Sequence, residues 1–148
     1  MLKWMRERLS RDEGFTLIEL MVVVLIIAIL IAIAIPSFLG FRKNAQDRSA
    51  QADLRSVLLA EKAFYTENSA FTTTFSPDLT DIEPNINTTA TLAASADGSA
   101  VCMELQSDGG DFFAVWESES DPTEYGSGAA TLIGTCNNAG TSMGFGGW

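Results

Sequence analysis

The side chain that first asks for a chemical explanation is Glu19. From Phe15 to Ile35 the chain reads FTLIELMVVVLIIAILIAIAI, 21 residues of which only Glu19 carries a charge. As a helix rising about 1.5 Å per residue, the run covers the roughly 30 Å hydrocarbon core of a bilayer. An isolated carboxylate there costs about 2.5 to 3.5 kcal/mol, while the helix dipole returns about 0.3 to 1 kcal/mol to an acid in the first turn. The shortfall predicts a further partner for Glu19. Other chemistries are excluded by composition. The chain has no histidine, so Ser-His and Cys-His nucleophilic arrangements and His-based zinc sites are ruled out. Gly126-Ser127-Gly128 lacks the third glycine and the following helix of a dinucleotide loop. Glu117, Glu119 and Asp121 stand at every second position, where they could pair as catalytic carboxylates or ligate calcium. Their spacing fits no recognised calcium loop, and they read as a solvated acidic turn. No catalytic residue, metal or cofactor is expected.

What lies ahead of Glu19 sharpens the reading. The apolar run begins abruptly after Gly14, behind a leader bearing Lys3, Arg6, Arg8 and Arg11. The stretch Gly14-Phe15-Thr16-Leu17-Ile18-Glu19-Leu20 resembles the cleavage and methylation motif of type IV prepilins and of the pseudopilins of secretion systems. The resemblance is specific through about Pro36 and looser to about Tyr65. It implies that a prepilin peptidase cuts between Gly14 and Phe15, that Phe15 is N-methylated, and that Glu19 stays in the mature chain. It also implies a role for Glu19 in assembly, pairing with the new α-amino group of a neighbouring subunit. A secretory signal cut near Ala32-Ile33-Ala34, or a plain single-span anchor, accounts for the apolar run but for neither Glu19 nor the Gly-Phe junction.

The rest of the chain has to position this element and carry something on it. The 148 residues amount to about one domain, of which roughly 110 follow the span. A net charge of -10 conceals an asymmetry: all nine Lys and Arg lie at or before Lys62, while residues 63–148 contain twelve acids and no base. So acidic a head repels phosphate backbones, and no direct nucleic-acid binding by it is expected. The basic leader keeps the amino terminus cytoplasmic and puts the head outside, although Arg42, Lys43, Arg48 and Arg55 beyond the span weaken that asymmetry. Pro36 deletes one helical hydrogen bond, so a kink is expected there and not a break. Beyond it Ala50, Leu54, Val57, Leu58, Phe64 and Tyr65 recur at helical spacing, opposite Arg48, Gln51, Arg55 and Lys62.

The expected organisation is a leader over 1–14, a transmembrane or filament-core helix over 15–36, an amphipathic helix over 37–66, a connecting loop over 67–90 and an antiparallel sheet over 91–148. Strand patterns occupy Ala90–Ala96, Ala100–Gln106, Phe112–Glu117 and Ala129–Cys136, punctuated by Asp97-Gly98 and Asp108-Gly109-Gly110. Asn87-Thr88-Thr89 fits a glycosylation sequon but is too short to inform. Cys102 and Cys136 enclose 33 intervening residues; a bridge between them contributes on the order of 3 to 4 kcal/mol and would resemble the carboxy-terminal disulfide loop of many type IV pilins. Two independent buried thiols are the other arrangement. The Gly-rich tail docks only if Phe145 or Trp148 finds a site.

The fold class is therefore α+β, a long bent helix packed against a small antiparallel sheet. The function expected from the resemblance is that of a type IV pilus structural subunit, not an enzyme. Its partners are membrane lipid before assembly, a prepilin peptidase, an inner-membrane assembly machinery and other copies of itself in an extracellular filament on the bacterial surface. A minor pilin or pseudopilin active in adhesion, DNA uptake or secretion is the alternative, and a binding domain on an ordinary signal anchor is a third.

Overall fold

A computed structural model describes residues 15–133 and 147–148. The chain divides into two units, Met1–Gly40 and Phe41–Trp148. One helix, α1 (Leu17–Asn68), contributes to both and runs through Pro36 without interruption.

In the first unit every described residue is exposed. The segment is rich in Ile and Val, which are only moderate helix formers. Helix is nonetheless the state it takes, since in an apolar surrounding each backbone polar group must be satisfied within the segment itself.

In the second unit α1 buries Ala50, Leu54, Val57, Leu58, Ala60 and Glu61, a stripe at the three- and four-residue intervals of one helix face. The stripe packs on one face of a four-stranded antiparallel meander in the order β1-β2-β3-β4. The strands are β1 (Thr91–Ala94), β2 (Ala100–Gln106), β3 (Phe112–Ser118) and β4 (Glu124–Gly128). Val101, Met103, Leu105, Phe113 and Val115 project toward the helix. Side chains of opposite parity, Ala100, Cys102, Ala114 and Trp116, are buried on the other face together with partly covered Leu132. Because both faces are covered, β2 and β3 are buried almost along their length, and their sequences read as continuous apolar runs with little alternation.

Between helix and sheet, a helical turn at Phe75–Leu79 leads into α2 (Thr80–Ile82), and buried Leu79 plugs this connection into the core. The β1–β2 turn needs its glycine twice over. Gly98 has φ +73°, and a Cβ there would stand 2.8 Å from the Ala70 Cβ. Asp97 holds the same turn by accepting from the Ser99 N–H at 3.1 Å and from the hydroxyls of Ser95 and Ser99. Those hydroxyls hold its carboxyl down at about 2.

One strand is displaced from its expected position. The fourth is Glu124–Gly128, upstream of Ala129–Cys136. The register explains why: Val115 faces Tyr125 and Phe113 faces Ser127, so the Glu119–Thr123 connection returns the chain directly onto β3. By Ala129 the edge is already filled, and the described part of that segment follows a different path.

Candidate assembly site

Gly14, the expected residue before the cut, lies outside the described residues, as does the leader. Phe15 follows it, 84% exposed. The start of α1 is closed by a reciprocal pair. The Thr16 backbone N–H and hydroxyl donate to Glu19 Oε2 at 3.2 and 3.0 Å, and the Glu19 N–H donates to Thr16 Oγ1 at 3.3 Å. Threonine at the cap with glutamate three residues on is a capping box, which satisfies two orphan donors of the first turn at once. Sequence reasoning weighed the dipole and a neighbour's α-amino group but not this box, although Thr16-Leu17-Ile18-Glu19 spells the pattern. The box engages Glu19 through neutral donors, and among the described residues its charge has no counter-ion.

From Phe15 to Arg42 no side chain is buried. The helix is long and apolar enough to cross a membrane. So large an apolar surface is not carried bare into water by a soluble chain, and it marks a lipid or protein interface. Pro36 sits inside α1 within this exposed stretch.

The description "Prokaryotic N-terminal methylation motif" matches residues 9–35, bracketing Gly14, Phe15 and Glu19. The match is confined to this amino-terminal segment. Proteins similar to the chain that bears it include the type IV major pilin protein PilA of Myxococcus xanthus, 46% identical over 61 residues, 41% of this chain and 28% of that one. The type IV wide pilus major component PilA4 of Thermus thermophilus is 42% identical over 60 residues, 40% of this chain and 46% of that one. The type II secretion system core protein G of Vibrio cholerae is 34% identical over 68 residues, 46% of this chain and 47% of that one. The chain thus spans less than half the length of these relatives. Their names describe pilus and secretion components, not enzymes, and the likeness supports a pilin or pseudopilin role.

The second unit, which follows the methylation motif, holds the other residues singled out from sequence. Cys102 is buried in β2 opposite Trp116, and Cys136 lies outside the described residues. The three acids of the 117–121 stretch are drawn apart. Glu117 pairs with Lys62 at 3.0 Å and accepts from the Thr123 hydroxyl. Glu119 is exposed, its N–H bound to the Ser99 carbonyl at 3.0 Å. The Asp121 N–H donates to Ser118 Oγ at 2.9 Å. Among the described residues no group of three or more His, Cys, Asp or Glu gathers as a metal site would require.

Two further residues, Glu104 and Glu61, carry weight that sequence reasoning did not assign, and Trp148 finds the docking site on which its placement was made to depend. Glu104, on the Cys102 face of β2, accepts from the Thr131 hydroxyl at 2.7 Å, from the Ile133 N–H at 2.8 Å and from the Leu132 N–H. It thereby fastens the segment after β4 across the sheet. Trp148 docks against Phe113 and edge-on to Tyr125, with the Arg55 guanidinium 5.2 Å from its ring centre. Glu61 is wholly buried in the helix stripe. One of its oxygens accepts from the Thr72 N–H at 3.2 Å and the other has no partner among the described residues. Burial, helped by the nearby Asp78, outweighs the Thr72 bond and pushes its carboxyl up to about 7.

Proposed function

We propose that this chain is the structural subunit of a type IV pilus. A peptidase releases it from its leader between Gly14 and Phe15, its new terminus is N-methylated, and it polymerises through its apolar helix into a surface filament. The observation that carries this reading is a match to a methylation motif over residues 9–35 in which Glu19 stands on an apolar, exposed stretch of helix with no ion-pair partner among the described residues. Before assembly, lipid surrounds that helix. Afterwards a bundle of like helices takes the place of lipid, since the packing of side chains between helices can replace packing against acyl chains.

Cleavage would place a cation at Phe15, four residues from Glu19. Glu19 lies about 6 Å along the axis from it, so a neighbour offset along the filament can bring its amine level with the carboxylate and neutralise both. In a low-dielectric bundle such a pair sets register more than it adds stability, and stranding either partner costs about 3 to 5 kcal/mol. The chain is similar to secretion core proteins as well as to pilins, but the identity is higher with the two pilus components. The pilus reading is therefore preferred to the pseudopilin one.

Shearing the surface of cells that express the chain tests this. The expected result is filaments with this chain as the bulk component and an amino-terminal peptide beginning at N-methylated Phe15. Gly14→Val should yield only uncut precursor in the membrane. Normal methylated Phe15 from that variant would refute the cleavage assignment.

A further inference from the structure

The second unit is electrically polar along its helix. Lys43 is paired with Asp47 and Asp111, and Lys62 with Glu117, whereas Arg42, Arg48 and Arg55 have no carboxylate partner among the described residues. Arg48 and Arg55 are exposed and seven residues apart, two turns along one face of α1. With Asn44, Gln51, Phe113 and Trp148 they line a groove of about 720 Å³. Trp148 forms one wall, and its Nε1–H, buried, has no acceptor among the described residues. Asp47, also in this groove, is already held by the Ser107 hydroxyl at 2.6 Å and by Lys43 at 3.1 Å. The groove is thus a donor-rich cleft in which two arginines face a single carboxylate, Asp47, that is already engaged by other groups.

Three exposed acids with no ion-pair partner among the described residues stand around the other end of the helix. Glu67 stands exposed near the carboxy-terminal end of α1. Asp97 tops the β1–β2 turn, which is tied to that end through the Phe71 N–H on the Gly98 carbonyl at 2.9 Å. Glu119 reaches the same turn through Ser99 and lies beside Tyr65, whose hydroxyl is held above its usual range by burial first and Glu119 second. Twelve residues of helix separate Arg55 from Glu67, about 18 Å of rise, well beyond the roughly 8 Å over which exposed charges feel each other at physiological salt. The two ends of one molecule cannot neutralise each other.

We infer that the Arg48–Arg55 groove receives the Glu67, Asp97 and Glu119 end of a second copy of this chain, joining heads in a filament. The contact is heterologous, one patch meeting a different patch, and such contacts propagate as open helical assemblies when the rotation does not close. Charge complementarity of this kind suppresses wrong docking and fixes register. The inference rests on the filament reading, and adds to it a head-to-head contact distinct from the helix bundle.

The test uses the full-length chain in cells. Arg48→Glu with Arg55→Glu should lower sheared filament at least tenfold while the Gly14–Phe15 cut proceeds normally. Glu67→Arg with Glu119→Arg should do the same, and the four changes together should restore most of the yield, which a folding defect would not allow. In a second arm, Arg48→Lys/Arg55→Lys filaments are treated with a zero-length carbodiimide. The expected product is an intermolecular amide joining either introduced lysine to Glu67, Asp97 or Glu119. Wild-type yield from the arginine-reversed variant, absence of rescue, or cross-links to none of those acids would overturn the inference. So would loss, in that variant, only of binding to anionic vesicles or polymers, which would assign the groove a different occupant. Absence of filaments from the unaltered chain would instead overturn the filament reading itself.

Discussion

At the scale of single residues, Glu19 has two separable jobs. It closes the capping box with Thr16, worth about 1 kcal/mol to the helix start, and it carries the charge proposed to pair between subunits. A glutamine can fill the same box but carries no charge. Glu19→Gln should therefore keep the helix start and the Gly14 cut and still greatly reduce the ratio of sheared to membrane-held subunit, as should Glu19→Ala. Thr16→Val, which keeps the charge and loses the cap, should assemble at near wild-type yield. If the two variants behave the other way round, assembly depends on the cap and the charge-pair account is wrong.

Glu61 supplies a pH dependence. Its folded value of about 7 lies above the ordinary 4.5, so the folded state holds a proton that the unfolded state releases. Its contribution is fully present below about 4.5, falls as the pH rises, and is lost above about 7, a swing of about 3 kcal/mol. Melting of the detergent-solubilised chain should weaken accordingly from pH 5 to 8. Glu61→Gln should flatten that slope and melt higher at pH 8. An unchanged slope in the variant would show that Glu61 does not titrate there.

At the scale of elements, the segment after β4 is tied to the sheet by a carboxylate and, we propose, by a Cys102–Cys136 bridge. Glu104 accepts three hydrogen bonds from Thr131, Leu132 and Ile133, and charge-assisted bonds contribute about 1.5 to 3 kcal/mol each before their desolvation is counted. Glu104→Ala should speed amide exchange at residues 131–133 and lower the melting temperature. Reducing the protein should increase the loss further if the bridge exists. Non-reduced intact mass should be two hydrogens below the reduced value, and two alkylatable thiols in the native chain would remove the bridge. Nothing in local pattern announced Glu104, because a glutamate in an apolar strand reads as a solvent-facing position. Here that face is covered, and only the return of a distant segment gives the carboxylate its donors.

At the scale of the whole molecule, composition and periodicity made much legible. The apolar run after Gly14, the helix stripe of Ala50, Leu54, Val57 and Leu58, and the Asp97-Gly98 turn all follow from near-neighbour rules: hydrophobic length, a 3.6-residue period, and a φ that glycine accepts. The α+β class follows from them as well. Misplacement of the fourth strand has the opposite origin. Glu124–Gly128 is short, with two glycines, and becomes a strand because β3 offers it an edge, whereas Ala129–Ile133 has the better local propensity but reaches β3 when that edge is already taken. What the sequence determined by itself, then, is the likeness to a methylation motif, an apolar run long enough to cross a membrane and the helix that follows it, since each is set by residues within a few turns of one another. Only the tertiary structure decided which acids are engaged and which stand free, that Trp148 walls an arginine groove, and that Glu61 is sealed from water. Those depend on contacts between residues 11 to 93 positions apart, where burial and pairing are settled by packing and not by pattern.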